Sequence, residues 1–325
     1  MEKKPILCIV GPTASGKTGA SVRAAALLGG EIVSADSVQV YRGMDIGSAK
    51  PTLSERGGIA HHMLDRVDID ETGYSVSAYC GQASACILDI QQRKKTAVVV
   101  GGSGLYVQSL TKPLNFAVPS DASVRAALSA AYDRDPAAAF ARLREIDPAT
   151  GDRLHENDKK RVVRALEIYE LSGRPLSSFG NDFHNDSGAE PPFPSVRTGL
   201  TMDRALLYDR IERRVEQMLA AGLVDEARDI FSRGYKPDCP ALSSIGYAQL
   251  FAFFRGETTL PEAVERIKQD TRRFAKRQMT WFRRDKGIVW IDVTEIADDA
   301  DAVAARVVDV WNKSGEGQDA DTNLG

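Results

Sequence analysis

The sequence predicts an α/β fold: a parallel sheet flanked by helices and interrupted by an all-helical insertion. Three apolar segments, residues 6–10, 30–36 and 96–102, have the length and composition of buried strands, and helical patterns separate them. Strand, helix and strand at this spacing imply a parallel sheet with helices on both faces. From Ser120 to Gly173 the pattern is helical only, which predicts an insertion into that sheet.

The first strand, ILCIV, leads directly into GPTASGKT, which has the spacing of a phosphate-binding P-loop. Glycines in such a loop let backbone N–H groups converge on anionic oxygens, and the next helix adds its partial positive charge. That helix is predicted in residues 18–28, before two glycines. Lys17 is expected at the outer phosphate and the Thr18 hydroxyl on magnesium. The predicted phosphate-binding residues are Gly11, Pro12, Thr13, Ala14, Ser15, Gly16, Lys17 and Thr18.

The second strand, GEIVSAD, ends in Asp36, whereas the third strand lacks the acid that an ordinary nucleotide-hydrolysing site would have at its end. Such a site usually has a magnesium-holding acid at the end of an apolar strand, but here the apolar strand TAVVV runs into GGSGLY. Carboxyl ends of parallel strands line the ligand crevice of an open sheet. Asp36 is therefore predicted to be a general base that takes a proton from a nucleophile. The structural alternative is an Asx turn or helix cap within SADSVQ.

The third strand, which follows a helix predicted around residues 79–92, ends in the segment GGSGLY. Glycines at a strand end permit close approach of the backbone to a ligand, and the Ser103 hydroxyl could hydrogen-bond the bridging oxygen of a departing diphosphate. A tight strand-to-helix turn is the alternative interpretation.

The rest of the chain divides into an insertion, a resumed core and a tail. Helices are predicted in residues 123–135, 136–147 and 158–173, and strands in residues 196–202 and 287–293. We therefore expect a core of residues 1–120 plus 195–313 and a helical insertion domain of residues 121–194. Residues 314–325 have the composition of a disordered tail.

A basic helix is predicted near the end of the core, in residues 261–286, which begin with a proline suited to the first helical turn. Its apolar positions form one arc, which is its expected core face: Val264, Ile267, Phe274, Ala275, Trp281 and Phe282. Nine Lys or Arg against four Asp or Glu lie between Glu262 and Lys286. Basic residues on a separate face suit a nucleic-acid backbone, although a charged face that meets only solvent is the alternative.

Composition sets broad limits on the class of protein. The 325 residues are 43% hydrophobic and 27% charged with a net charge of −3, which is ordinary for a globular protein, so any basic surface must be local. No apolar run is long enough to span a membrane, and MEKKP leads into a strand rather than a signal sequence. The four cysteines show no zinc-ligand spacing. We expect a cytoplasmic protein that does not associate with membranes.

Six segments in one order resemble the bacterial tRNA dimethylallyltransferases, over about residues 5–293. They are GPTASGKT, SADSVQVYRGMDIGSAKP, GGSGLY, NDKKRVVRALE, SIGYAQL and AKRQMTWFRR. The resemblance implies transfer of a dimethylallyl group from dimethylallyl diphosphate to the N6 amine of the adenosine 3′ to the anticodon in tRNA, with Mg2+ as cofactor and the anticodon stem-loop as partner. The diphosphate is then a leaving group rather than an energy source. We expect a monomer.

The resemblance also implies roles for individual residues. Asp36, Ser103 and Arg125 would be catalytic, and Arg214 would join the P-loop at the diphosphate; each arginine has an ordinary helix-surface ion pair as its alternative. Ser103 stands where the family usually has threonine. The helical insertion would close over the anticodon loop, and the target adenine would be flipped into a channel that meets the prenyl donor. The implied tRNA contacts are Asp36, Ser37, Val38, Gln39, Lys160, Arg161, Val162, Val163, Arg164, Ser243, Ser244, Ile245, Gly246, Tyr247, Thr271, Arg272, Arg273, Phe274, Ala275, Lys276, Arg277 and Gln278.

Three other functions are compatible with parts of the sequence. An isopentenyltransferase acting on free AMP or ATP would share the P-loop and Asp36, but a mononucleotide requires neither the basic helix nor the insertion. A P-loop kinase of small molecules would use Asp36 to activate a hydroxyl, and it too leaves the basic helix without a role. An RNA-binding protein with a structural nucleotide would not need a carboxylate opposite the loop.

Overall fold

The fold is taken from a computed structural model, which describes residues 3–114, 118–179, 190–236 and 239–315. Six parallel strands form one sheet in the order β3-β2-β4-β1-β5-β6. They are β1 (Ile6–Val10), β2 (Glu31–Ser34), β3 (His61–His62), β4 (Ala97–Gly101), β5 (Ser195–Thr201) and β6 (Ile288–Asp292). The predicted α/β class with a parallel sheet is confirmed. The sequence pattern missed β3, because two residues are too few to show a period.

Twelve α-helices lie in the described part of the chain. They are α1 (Lys17–Leu27), α2 (Val76–Gln92), α3 (Gly104–Thr111), α4 (Ala122–Arg134), α5 (Pro136–Ile146), α6 (Pro148–Gly151), α7 (Lys159–Ser172), α8 (Arg204–Ala220), α9 (Leu223–Ser232), α10 (Tyr247–Phe254), α11 (Leu260–Phe282) and α12 (Ala300–Lys313). The short α6 was not predicted. Of the tail predicted to be disordered, residues 316–325 lie outside the described residues.

The strands β1 and β4 form the centre of the sheet, and their composition explains why. All five residues of β1 are buried, and β1 pairs with β4 on one side and β5 on the other. A strand buried on both faces needs a continuous apolar run rather than an alternating one, which ILCIV and AVVV provide. This pairing brings the ends of β1, β2 and β4 to one edge of the sheet.

Separate hydrophobic clusters cover the two faces of the sheet. One contains Ala20 of α1 together with Val303 and Trp311 of α12. The other contains Tyr79 of α2 and Phe282 of α11, along with residues of α3 and α10. The sheet is thus covered by helices on both faces, as a parallel sheet requires.

The basic helix α11 begins with a capping box in which the Thr259 hydroxyl accepts from the Glu262 N–H and the Glu262 carboxylate accepts from the Thr259 N–H. Of the predicted core face, Ile267, Ala275 and Phe282 are buried, whereas Val264, Phe274 and Trp281 are partly buried. The polar Gln278 is buried too. An amide among apolar neighbours needs hydrogen-bond partners.

Contacts between Cα atoms divide the chain into two compact units, residues 1–112 with 191–325, and residues 113–190. The second unit has its own core, in which Leu128 of α4, Leu143 of α5 and Leu166 of α7 are buried together. Helix α7 ends at Ser172, and the capping residue after it, Gly173, has a φ of 66°, the left-handed conformation that favours glycine at this position. No helix in the described ranges is long and apolar enough to cross a membrane.

Candidate active site

A cavity of about 540 Å³ opens in the first unit at the carboxyl edge of the sheet. Its lining includes Lys17 and Thr18 of the P-loop, Asp36 after β2, and Gly102 after β4. The size is within the usual range for a small-molecule site. The cavity therefore brings together the phosphate-binding loop and the carboxylate that the sequence singled out.

The P-loop adopts a conformation that depends on its glycines. Gly16 has φ 87°, a left-handed value, and a Cβ on Gly11 would lie 2.7 Å from the backbone oxygen of Leu200. The Lys17 ammonium curls back over the loop and donates a hydrogen bond to the Pro12 carbonyl at 2.5 Å. The loop thus places the half-buried amine of Lys17 in the wall of the cavity.

Arg214 on α8 also lines the cavity. Burial, and then the charge of Arg214, lower the pKa of Lys17 to about 7, with Asp36 opposing that change. Burial also lowers the pKa of Arg214, which Asp36 partly offsets. Two cations that share a desolvated space destabilise each other unless an anion joins them. Such a pair suits the binding of a polyanion such as diphosphate.

The alternative interpretation of Asp36, an Asx turn, is observed, and its role as a base stays a prediction. One carboxylate oxygen, Oδ1, accepts hydrogen bonds from the backbone N–H groups of Val38 at 2.9 Å and Gln39 at 3.3 Å. This is an Asx-type turn, and it fixes the direction of the carboxylate. Oδ2 has no hydrogen-bond partner within the described part of the chain, so it is available to accept a proton.

Ser103 precedes α3, and its hydroxyl oxygen accepts from the Ser37 N–H at 2.9 Å and donates to the Ser37 hydroxyl at 3.2 Å. Its own N–H donates to the Ala35 carbonyl at 3.1 Å. Ser103 therefore ties the end of β4 to the segment that carries Asp36. A contact with diphosphate stays a prediction.

Two residues, Gln278 and Arg210, hydrogen-bond the P-loop, and the sequence did not predict these contacts. The Gln278 amide accepts from the Thr13 N–H at 2.8 Å and donates to the Gly102 carbonyl at 3.0 Å. The Arg210 Nε donates to the Ala14 carbonyl at 3.0 Å. Arg210 lies one helical turn before Arg214, which is the only signal that could have found it. Gln278 was predicted as a tRNA contact, which stays a prediction; its side chain joins the loop to the turn after β4.

Many of the predicted tRNA contacts line the same cavity as the P-loop. These are Asp36, Ser37, Val38, Gln39, Ser243, Ser244, Ile245, Gly246, Thr271, Phe274, Arg277 and Gln278. Others have buried side chains that pack in the protein interior, namely Val162, Val163, Tyr247 and Ala275. The sequence motif marks a segment, and the fold decides which of its side chains are exposed.

The basic face of α11 is partly neutralised within the protein. Arg272 pairs with Glu212 at 2.6 Å, and both Arg266 and Arg273 reach Asp270, at 3.0 and 3.2 Å. The guanidinium of Arg277 lies 5.8 Å from the centroid of the Phe274 ring. Among the described residues Arg277 has no acidic partner, which leaves its charge available for an external anion.

In the second unit, Arg125 and Arg164 both bind the carboxylate of Glu167, each at 2.8 Å. Glu167 is fully buried. Burial raises its pKa, but hydrogen bonds from Arg164 and Arg125 outweigh that effect, so the pKa of Glu167 lies below its usual value. Arg125 is therefore ion-paired, but with a buried residue of another helix rather than on its own helix surface, and a role of Arg125 in transfer stays a prediction.

The cavity offers one hydroxyl ligand to a divalent cation, which the substrate would have to hold for the most part. The Thr18 hydroxyl supplies that oxygen, and no cluster of three or more His, Cys, Asp or Glu that could hold a metal occurs in the described residues. Mg²⁺ prefers oxygen ligands and commonly keeps waters and phosphate oxygens in its shell, so one or two protein ligands suffice.

The six-stranded parallel sheet with a P-loop after its first strand and a carboxylate at the same edge defines a protein of the P-loop class. The chain matches the IPP transferase family over residues 39–285, and it belongs to that family. The resemblance found in the sequence is thereby confirmed, and the chain is a prenyl transferase. Transferases of this kind generally use a divalent metal.

Relatives and solved structures agree with this assignment. A tRNA dimethylallyltransferase of Pelotomaculum thermopropionicum is 45% identical over 94% of this chain and 96% of its own length. The structure of a tRNA isopentenylpyrophosphate transferase from Bacillus halodurans has a TM-score of 0.70 and 38% identity, covering 98% of each chain. A eukaryotic dimethylallyltransferase acting on tRNA has a TM-score of 0.81 and 28% identity, covering 96% of this chain and 79% of its own.

Proposed function

We propose that this protein transfers the dimethylallyl group of dimethylallyl diphosphate to the N6 amine of the adenosine 3′ to the anticodon in tRNA, and releases diphosphate. One observation carries the proposal. A single cavity is lined by Lys17 and Thr18 of the P-loop, by the Asp36 carboxylate, and by Phe274 and Arg277 of the basic helix α11. A diphosphate and a nucleic-acid base can therefore meet in one place.

The chemistry is the substitution of diphosphate at the prenyl carbon. The N6 nitrogen forms a bond to C1 of the dimethylallyl group while the bond from C1 to the bridging oxygen breaks. The lone pair of N6 is delocalised into the adenine ring, so the amine is a weak nucleophile. The Asp36 carboxylate accepts the proton that N6 loses, and its Asx turn holds it in the required direction.

Charge develops on the departing diphosphate, and the P-loop end of the cavity is built to receive it. Lys17 and Arg214 supply positive charge in a desolvated space, and the loop N–H groups add hydrogen bonds. Mg2+, when bound at the Thr18 hydroxyl, supplies further positive charge to the diphosphate oxygens. Ser103 is proposed to support the bridging oxygen from the adjacent turn.

The acceptor side of the cavity is assigned to tRNA. Residues of segments 243–246 and 271–278 line the cavity from the side of α10 and α11, and Arg273 and Arg277 of α11 would hold the backbone of the anticodon stem-loop. We propose that Lys160, Arg161 and Arg164 of the helical insertion, residues 121–194, contact the tRNA, and that Arg125 supports transfer. A monomer suffices for this arrangement.

The function is tested by incubating the purified protein with Mg2+, radiolabelled dimethylallyl diphosphate and either unmodified bulk tRNA or AMP. Label on tRNA alone supports the proposal. Label on AMP would assign the protein to the enzymes that prenylate free nucleotides. Label on neither acceptor would contradict the proposal. If the protein then binds ATP rather than dimethylallyl diphosphate, a kinase is favoured.

Substitution of Arg277 by alanine is expected to weaken tRNA binding and to reduce the salt dependence of the dissociation constant by about one phosphate contact. The reason is that Arg277 has no acidic partner among the described residues, so it can neutralise a phosphate. Arg273→Ala should act in the same direction but less strongly, because Arg273 already meets Asp270. The measurement is a titration of labelled tRNA at several salt concentrations.

Arg266→Ala is the matched control for these two variants. Arg266 lies on the same helix and pairs with Asp270, but it is not among the predicted tRNA contacts. Its salt slope should equal that of the parent protein. Unchanged slopes in both Arg273→Ala and Arg277→Ala would show that this face of α11 meets only solvent.

A further inference from the structure

A turn of residues 45–49 forms one wall of the cavity, and Glu226 on α9 holds it from outside. The Glu226 carboxylate accepts three consecutive backbone N–H groups, from Asp45 at 3.0 Å, Ile46 at 2.8 Å and Gly47 at 3.0 Å. It also accepts from the Tyr247 hydroxyl at 2.6 Å. A carboxylate that receives four hydrogen bonds fixes the backbone that donates them.

The ring of Tyr247 fits closely against the same turn. A Cβ on Gly47 would lie 2.4 Å from this ring, so only glycine fits at that position. Tyr247 is fully buried, and burial together with its bond to Glu226 raises the pKa of its hydroxyl, which stays protonated as a donor. Glu226 and Tyr247 therefore act as one clamp on residues 45–47.

Gln39 connects the same turn to the carboxylate of Asp36. The Gln39 side-chain amide donates to the carbonyls of Ser48 at 3.4 Å and Ala49 at 3.2 Å. The backbone N–H of Gln39 donates to Asp36 Oδ1. A continuous set of hydrogen bonds thus runs from Glu226 through the turn and Gln39 to Asp36.

We propose that Glu226 is a positioning residue for the transfer reaction: it holds the 45–49 turn, which through Gln39 keeps the Asp36 carboxylate aimed at the acceptor amine. Gly47, Ser48 and Ala49 all line the cavity, whereas Glu226 does not touch it. A displacement of the base by about 1 Å is enough to slow a reaction about 100-fold. This inference rests on the proposed function, because it assigns Asp36 as the base.

Glu226→Ala is expected to lower the kcat for tRNA prenylation about 10- to 100-fold and to leave the dissociation constant for tRNA within about twofold. Glu226→Gln keeps one acceptor oxygen and should recover part of the loss. Asp225→Ala is the matched control, since Asp225 is an exposed acid on the same helix, and its kcat should equal that of the parent. Full activity of Glu226→Ala would overturn the proposal.

A double-mutant cycle separates positioning from a general loss of structure. If Glu226 acts through Asp36, Glu226→Ala should change the residual single-turnover rate of an Asp36→Ala protein by less than about twofold. If the two losses multiply, Glu226 acts by another route and the proposal fails. Should Glu226→Ala not fold, the same cycle is run with Glu226→Gln.

Amide hydrogen exchange tests the connection independently of turnover. Glu226→Ala should accelerate exchange at Asp45, Ile46 and Gly47 and also at Val38 and Gln39, whose N–H groups hold Asp36. Faster exchange confined to residues 45–47 would overturn the proposal. If the parent protein prenylates no acceptor, the proposed function fails, and the exchange pattern still decides whether Glu226 orders the segment around Asp36.

Discussion

Asp36→Ala is expected to lower the kcat for tRNA prenylation by about 10²- to 10⁴-fold, the usual contribution of a general base. The dissociation constant for tRNA should change little, because the proton is transferred only in the transition state. The structural basis is that Oδ1 of Asp36 is fixed by two backbone N–H groups, while Oδ2 accepts no hydrogen bond from any residue that the structure describes. Single-turnover transfer of label and a separate tRNA titration measure the two quantities.

Asp36→Asn separates the chemical role of Asp36 from its structural one. Asparagine keeps an oxygen that can accept from Val38 and Gln39, so the Asx turn is preserved while the base is lost. If Asp36 is the base, the asparagine variant should be nearly as slow as the alanine variant. If asparagine restores turnover, or if Asp36→Ala keeps full transfer while binding tRNA, Asp36 serves only the turn.

Lys17→Ala is expected to weaken the binding of dimethylallyl diphosphate and to lower kcat by about 10²- to 10³-fold, as does removal of a charge-stabilising donor in other enzymes. Burial, with Arg214, holds the pKa of Lys17 near 7 in the protein without substrate. A bound diphosphate favours the charged form and raises that pKa. Below pH 7 the lysine is already protonated, whereas above pH 7 binding must take up a proton, so affinity should fall as pH rises.

Calorimetric titration with dimethylallyl diphosphate between pH 6 and 9 measures this dependence; the ionisation of the ligand itself is common to all variants. Lys17→Arg stays charged throughout that range, because arginine keeps its proton in proteins. Its affinity for dimethylallyl diphosphate should therefore depend less on pH than that of the parent protein, by the contribution of Lys17. Lys17→Met should lose the same part while binding more weakly. A pH slope in Lys17→Met equal to that of the parent would show that another group titrates.

Local sequence patterns were sufficient to predict most of the fold. The strands β1, β2, β4, β5 and β6 and the helices α1, α2, α7 and α11 occur at their predicted places within a few residues. These elements have either a continuous apolar run or a long helical period, each of which is visible in a single chain. The strand β3 and the short α6 carry too few residues to show any period.

The candidate site was predictable only where chemistry is local in the sequence. GPTASGKT contains its glycines, its lysine and its hydroxyl within eight residues, so its function could be inferred from spacing alone. Asp36 could be placed opposite the loop by the rule that parallel strands end at one edge. By contrast, Gln278 meets Thr13 across 265 positions and Glu226 meets Ile46 across 180. Periodic patterns in a sequence extend over single helices and strands, so they do not predict contacts at these separations.

The sequence by itself determined the class of fold and the family, and it predicted the P-loop and the carboxylate of Asp36 that line the candidate site. Each of these depends on residues that are close along the chain or on a fixed order of motifs. Only the tertiary structure decided which side chains of a motif are exposed, which cations of α11 are already paired, and which distant residues hold the P-loop and the 45–49 turn. The physical reason is that burial and hydrogen-bond partnership are properties of packing, and packing joins residues whose separation along the chain carries no signal.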